Sequence, residues 1–82
     1  MQQMRKKLTL DKVEAGRKGV VVKIKGRGPT KRRLMDMGIV SGALIEVIRK
    51  APLGEPIEFK IKGYHLTLRK DEAEMVTVEL VG

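Results

Sequence analysis

The sequence predicts an all-β domain, a small barrel of about five antiparallel strands carrying one short helix and a further helical turn. Apolar residues alternate with polar ones in four separate stretches, which is the period of a half-buried strand and not of a helix. The clearest helix signals bracket one short segment, with Pro29 at its start and Gly38 just past its end. A chain of 82 residues makes one domain with one small core, and a few short strands closing on themselves can enclose such a core.

Residues 1–7, MQQMRKK, are expected to form a flexible basic tail, leaving 8–82 as the barrel domain. Leu8, Leu10 and Val13, ahead of Gly16, read as a short turn packed over the barrel end, with Asp11 placed to cap it. In the first strand Val20, Val22 and Ile24 are expected on one face and Val21, Lys23 and Lys25 on the other. Pro29 fits the first helical turn because its missing N–H would go unpaired there, and Gly38 can take the left-handed conformation that ends a helix. The helix is about two turns long. Leu34 and Met37 share one of its faces while Arg32, Arg33 and Asp36 fall elsewhere, so it is suited to plug an opening in a sheet.

Ala43 to Arg49 reads as the next strand, less cleanly alternating because Leu44, Ile45, Val47 and Ile48 place apolar groups on both faces. That pattern is expected if the helix covers part of the strand's outer side. Ile57, Phe59 and Ile61 alternate with Glu58, Lys60 and Lys62; Leu66 and Leu68 alternate with His65, Thr67 and Arg69; Val76, Val78 and Leu80 alternate with Thr77 and Glu79. Lys62 to His65 is short enough for a hairpin, with Gly63 available for a positive φ.

Composition excludes several functions. There is no cysteine, so disulfides and thiolate metal sites are ruled out, and a reducing compartment suits the chain. The basic start meets Asp11 and Lys12 before an apolar run of signal-peptide length develops, and no run is long enough to cross a bilayer. We therefore expect a soluble cytoplasmic protein. The 18 Lys and Arg against 10 Asp and Glu give a formal charge of +8, which favours acidic partners at long range. Nucleic acid, an anionic membrane face and an acidic protein surface all qualify, and the nucleic-acid reading is weakened because single-strand binders stack bases on aromatic platforms and only Phe59 and Tyr64 are available.

No catalytic constellation can be assembled. His65 is the single histidine and lies on the polar phase of its strand, where a solvated imidazole is the simpler reading. Asp71, Glu72 and Glu74 could offer oxygen to a hard cation, yet they follow Arg69 and Lys70 where acidic residues suit the first turn of a helix. Gly26-Arg27-Gly28 lacks the spacing of a phosphate-binding loop and reads as the turn into the helix. We assign no catalytic residue, cofactor or metal ligand.

The order of the pieces carries a family resemblance. Arg33-Leu34, Met37-Gly38-Ile39, Ser41-Gly42, the segment APLGEP from Ala51 to Pro56, and Leu68-Arg69 followed by Glu72-Ala73 resemble, in order and spacing, the FeoA family over nearly the whole chain after residue 7. The resemblance implies an SH3-like barrel in the cytosol, without enzymatic activity, that supports ferrous iron uptake by docking on the cytosolic part of a FeoB-type transporter. It implies contact with the inner face of the membrane through that partner alone, and leaves nucleotide chemistry to the partner's G domain. The same fold resembles the C-terminal module of metal-responsive repressors of the DtxR type, which keeps an SH3-like nucleic-acid-binding or transcriptional regulatory module as the alternative.

Two features fit docking. Lys31, Arg32 and Arg33 stand in the first turns of the helix, against its dipole, so local stability does not explain them. They read either as a solvated face or as an electrostatic contact with an acidic surface. Leu34 and Met37 read as core residues or as contact residues beside Leu53, which Pro52 and Gly54 hold in a stiffened loop. The candidate partner-binding set is Lys31, Arg32, Arg33, Leu34, Met37, Pro52, Leu53 and Gly54.

Overall fold

The computed structural model describes residues 6–81. Six strands form one antiparallel sheet in the order β1-β6-β2-β3-β4-β5: β1 Lys7–Thr9, β2 Lys18–Ile24, β3 Leu44–Lys50, β4 Ile57–Ile61, β5 Tyr64–Leu68 and β6 Val76–Val81. Helix α1 spans Pro29–Asp36 and the short helix α2 spans Lys70–Ala73, while Leu10–Lys12 forms a single 3-10 turn. β1 is a strand beyond the expected five, and its first residue, Lys7, belonged to the expected tail. Residues 1–5 lie outside the described residues. The 3-10 turn falls between Leu8 and Val13 as expected, but Asp11 does not cap it. Thr9 holds the capping position without a side-chain bond, and Asp11 Oδ1 is buried with no hydrogen-bond partner.

The core contains Leu10, Val13, Val21, Leu34, Ile39, Ile45, Val47, Ile57, Phe59, Ile61, Leu68, Val76 and Val78, all essentially without solvent exposure. Alternation placed β4, β5 and β6 correctly. β2 is different, because Val21 and not Val20 or Val22 is buried. Val21 lies opposite Val78 and Lys23 opposite Thr77, so Val22 is an extra residue that shifts the phase, and Ile24 lies opposite buried Val76. A bulge of this kind puts residues three apart on one face.

A second bulge explains the mixed pattern of β3. Val47 lies opposite Phe59 and Arg49 opposite Glu58, leaving Ile48 as the inserted residue. Leu44 stays half exposed, so the apolar groups on both faces do not reflect cover by the helix. The bulge also changes the fate of Lys50, which pairs in register with fully buried Ile57. Its stem is half-buried and its Nζ donates to the Asp11 carbonyl at 2.7 Å.

Helix α1 ends as its residues require. Gly38 has φ +98°; its N–H reaches the Met35 carbonyl at 3.0 Å and the Ile39 N–H reaches the Leu34 carbonyl at 3.1 Å. These two bonds form the Schellman motif, and its usual apolar contact is supplied by Leu34 and Ile39, both fully buried.

Candidate partner-docking surface

The structure separates the candidate residues by burial. Leu34 is 0% exposed, so it anchors α1 in the core and presents no surface. Met37 is half-buried against the same core. Lys31 is half-buried, while Arg32 and Arg33 are exposed on the outer side of the helix. Leu53 is 92% exposed at the tip of the 51–56 loop, between exposed Pro52 and half-buried Gly54.

The loop is held at its base. Ala51 N–H donates to the Pro56 carbonyl at 3.1 Å and Gly54 N–H to the Ala51 carbonyl at 2.8 Å, with Gly54 at φ +90°. Glu55 Oε1 accepts the Lys70 N–H at 2.9 Å, which ties the loop to the start of α2. An apolar side chain held out on such a braced turn is suited to contact.

The basic run is less free than it reads in sequence. The Arg33 guanidinium pairs with the Glu72 carboxylate, joining α1 to α2 across the mouth of an open cleft lined by Arg33, Pro56, Thr67, Leu68, Arg69 and Glu72. Glu72 also accepts the Arg69 N–H at 2.9 Å, reaching back over the first turn of α2. This cleft brings α1 beside the end of the loop at Pro56. No local sequence signal pairs Arg33 with Glu72, because their meeting depends on the path of the intervening strands.

The acidic turn behaves as its position demands. Asp71 and Glu72 fall in the first turn of α2, Asp71 Oδ1 accepts the Glu72 N–H at 3.0 Å, and Glu72 is engaged with Arg33. Among the described residues no three His, Asp or Glu side chains are arranged to hold a metal ion. His65 is exposed, its Nδ1 lying 3.4 Å from Glu58 Oε2. No helix among the described residues is long and apolar enough to cross a membrane.

A family model described as the FeoA domain matches residues 8–80. The chain belongs to the FeoA family. It is 35% identical over 74 residues to an Fe(2+) transport protein A/Fe(2+) transporter FeoB fusion protein of Porphyromonas gingivalis. That match takes in 90% of this chain but only 9% of the fusion protein. Among solved structures, the FeoA-like protein of Clostridium acetobutylicum superimposes with a TM-score of 0.86 at 42% identity, covering 96% of this chain and 92% of that one. Stenotrophomonas maltophilia FeoA, an SH3 domain protein solved in complex with zinc, gives a TM-score of 0.79 at 28% identity over 88% of this chain and 89% of its own. The barrel is thus the SH3-like fold of FeoA proteins, a family tied to ferrous iron transport. A manganese-dependent transcriptional repressor shares the fold at a TM-score of 0.83 with 19% identity, covering 96% of this chain and 44% of that one, a likeness of fold alone.

Proposed function

We propose that this FeoA protein is a non-enzymatic accessory of ferrous iron uptake that acts in the cytoplasm by docking on the cytosolic part of a FeoB-type transporter. The observation that carries the reading is the fused relative, in which an FeoA segment 35% identical to this chain is covalently joined to a FeoB transporter. Fusion holds two modules at high effective concentration, an arrangement that serves modules acting together. The docking surface in this reading combines Lys31, Arg32 and Arg33 of α1 with Met37 and the Pro52-Leu53-Gly54 tip; Leu34 contributes by fixing the helix in place.

Docking modulates the transporter if the protein binds one of its conformations better than another, since a ligand shifts an equilibrium only by its differential affinity. Binding of this chain to the purified G domain and to the full transporter, measured in two nucleotide states, tests this. The expected result is saturable binding that differs between states and weakens in Leu53→Ala. Absence of binding in both states overturns the reading. Affinity for random duplex DNA that falls steeply with salt would support the regulatory alternative.

A further inference from the structure

β5 is the last strand in the sheet, and its ladder partners lie in β4 alone. The turn that joins the two strands fixes which backbone groups are left over. Lys62 and Gly63 have φ of 51° and 83°, the two positive values of a type I′ turn, and in such a hairpin the residues flanking the turn exchange both hydrogen bonds. Bonded and non-bonded pairs then alternate along the ladder. Tyr64, Leu66 and Leu68 are accordingly bonded to Ile61, Phe59 and Ile57, while the N–H and C=O of His65 and Thr67 point away from β4. Both residues are exposed, and among the described residues no other backbone bond reaches these groups.

The two edges of the sheet are protected differently. β1 is three residues long and starts with Lys7, the short charged form that discourages further pairing. β5 has five residues, Tyr-His-Leu-Thr-Leu, with no lysine, proline or bulge, and Tyr64 stands 70% exposed. Its aromatic and β-branched residues suit extended pairing.

Charge around the edge selects the occupant. Lys60 and Lys62 flank the start of β5, and Arg69 and Lys70 follow its end. Of the nearby carboxylates, Glu58 is engaged with Arg49 and His65, Glu72 with Arg33, Glu55 with the Lys70 N–H and Asp71 with the Glu72 N–H, whereas the Arg69 guanidinium enters no ion pair among the described residues. Arg69 and Thr67 also line the open cleft of ≈ 540 Å³ at this end of the strand. A second copy fits poorly: antiparallel pairing of β5 with itself would set Arg69 and Lys70 of each chain beside Lys60 and Lys62 of the other, between chains of formal charge +8.

We propose that the free edge of β5 receives an extended acidic segment of a partner protein, added as a further strand through the backbone of His65 and Thr67 with a carboxylate on Arg69. This goes beyond the transporter reading, since it specifies a binding mode and a partner chemistry that hold whichever protein supplies the segment. The probe is a synthetic peptide of alternating valine and glutamate, compared with the same peptide carrying lysine for glutamate, and followed by NMR and amide hydrogen exchange on the full chain. The glutamate peptide alone should slow exchange at His65 and Thr67, and Arg69→Gln should weaken it about two- to fivefold, the range of an exposed ion pair. Thr67→Pro removes an outward N–H without removing a bond to β4 and should abolish the protection at His65; if that variant does not fold, Arg69→Gln still decides. Equal binding of the lysine peptide, shifts confined to other strands, or protection of β5 that grows with protein concentration in the absence of peptide would each overturn the proposal.

Discussion

Leu34 and Leu53 are the same side chain in opposite situations, one 0% and the other 92% exposed. Leu34→Ala should therefore lower stability by about 2–5 kcal/mol, the usual range for emptying a buried leucine site, and thermal melts would register it as a large fall for so small a domain. Leu53→Ala should melt within about 0.5 kcal/mol of wild type while weakening the binding to a FeoB-type transporter that the docking reading proposes. A Leu53→Ala protein that binds like wild type would remove the loop tip from the docking surface. Arg49 and Lys50 form a second contrast, because a basic pair in sequence is split between two environments. Arg49 is exposed and pairs at 3.4 Å with Glu58, while Lys50 turns inward to the Asp11 carbonyl. Lys50→Met keeps the buried stem and loses the donor, so it should cost about 1–3 kcal/mol in denaturant titrations, against less than about 1 kcal/mol for Arg49→Met. The spacing of Leu34 with Met37 puts both on one helix face but leaves core and contact open, and it is the 0% exposure of Leu34 that assigns it to the core. The inward turn of Lys50 was not legible in the sequence, because it depends on the bulge at Ile48, which only the pairing with β4 defines.

At the scale of elements, strands with one clean phase were legible and strands with an inserted residue were not. Ile57, Phe59 and Ile61 follow the two-residue period throughout β4, and all three are buried. In β2 the valine run Val20 to Val22 fits either phase by composition, and the bulge at Val22 selects the phase that buries Val21 opposite Val78. β1 leaves no signature in the sequence because three residues do not establish a period; its pairing with β6 makes it a strand. Helix α1 was read closely from Pro29 and Gly38, since both residues act through local backbone geometry alone. Its attachment to α2 through Arg33 and Glu72 joins residues far apart in sequence and left no local trace. A double-mutant cycle of Arg33→Gln and Glu72→Gln should return a coupling of about 0.2–1 kcal/mol that shrinks with added salt, since the Arg33 side chain is 54% exposed. Zero coupling at low salt would show that the pair does not hold the two helices together in solution. Gly38→Ala should be costlier than a surface substitution, by about 1 kcal/mol or more, because any Cβ opposes the positive φ at which the helix closes.

Over the whole molecule the formal charge of +8 is the property most exposed to test, because it acts before any contact forms. The family, the barrel and the basic balance were all legible in the sequence, whereas the exposure of the candidate docking residues was not, since burial decides which basic and apolar residues a partner could reach. Lys31, Arg32 and Arg33 lie on one short helix beside a cleft, and in the docking reading they steer an acidic surface toward the braced loop carrying Leu53. Steering and anchoring leave different kinetic traces. Charges at the rim of an interface change the association rate and its salt dependence, while a buried apolar anchor changes the dissociation rate. Replacing Lys31, Arg32 and Arg33 together by Gln should thus slow association with the transporter at low salt, and the variant and wild type should converge as salt rises and the Debye length falls below about 10 Å. Its stability should drop by about 1 kcal/mol, since Arg33 is half exposed but leaves behind a Glu72 side chain that is only 14% exposed. Leu53→Ala should show the reverse, with association unchanged and dissociation faster. Stopped-flow or surface-based kinetics at two ionic strengths separate the cases, and an unchanged association rate for the triple variant at low salt would return the three cations to an ordinary solvated face.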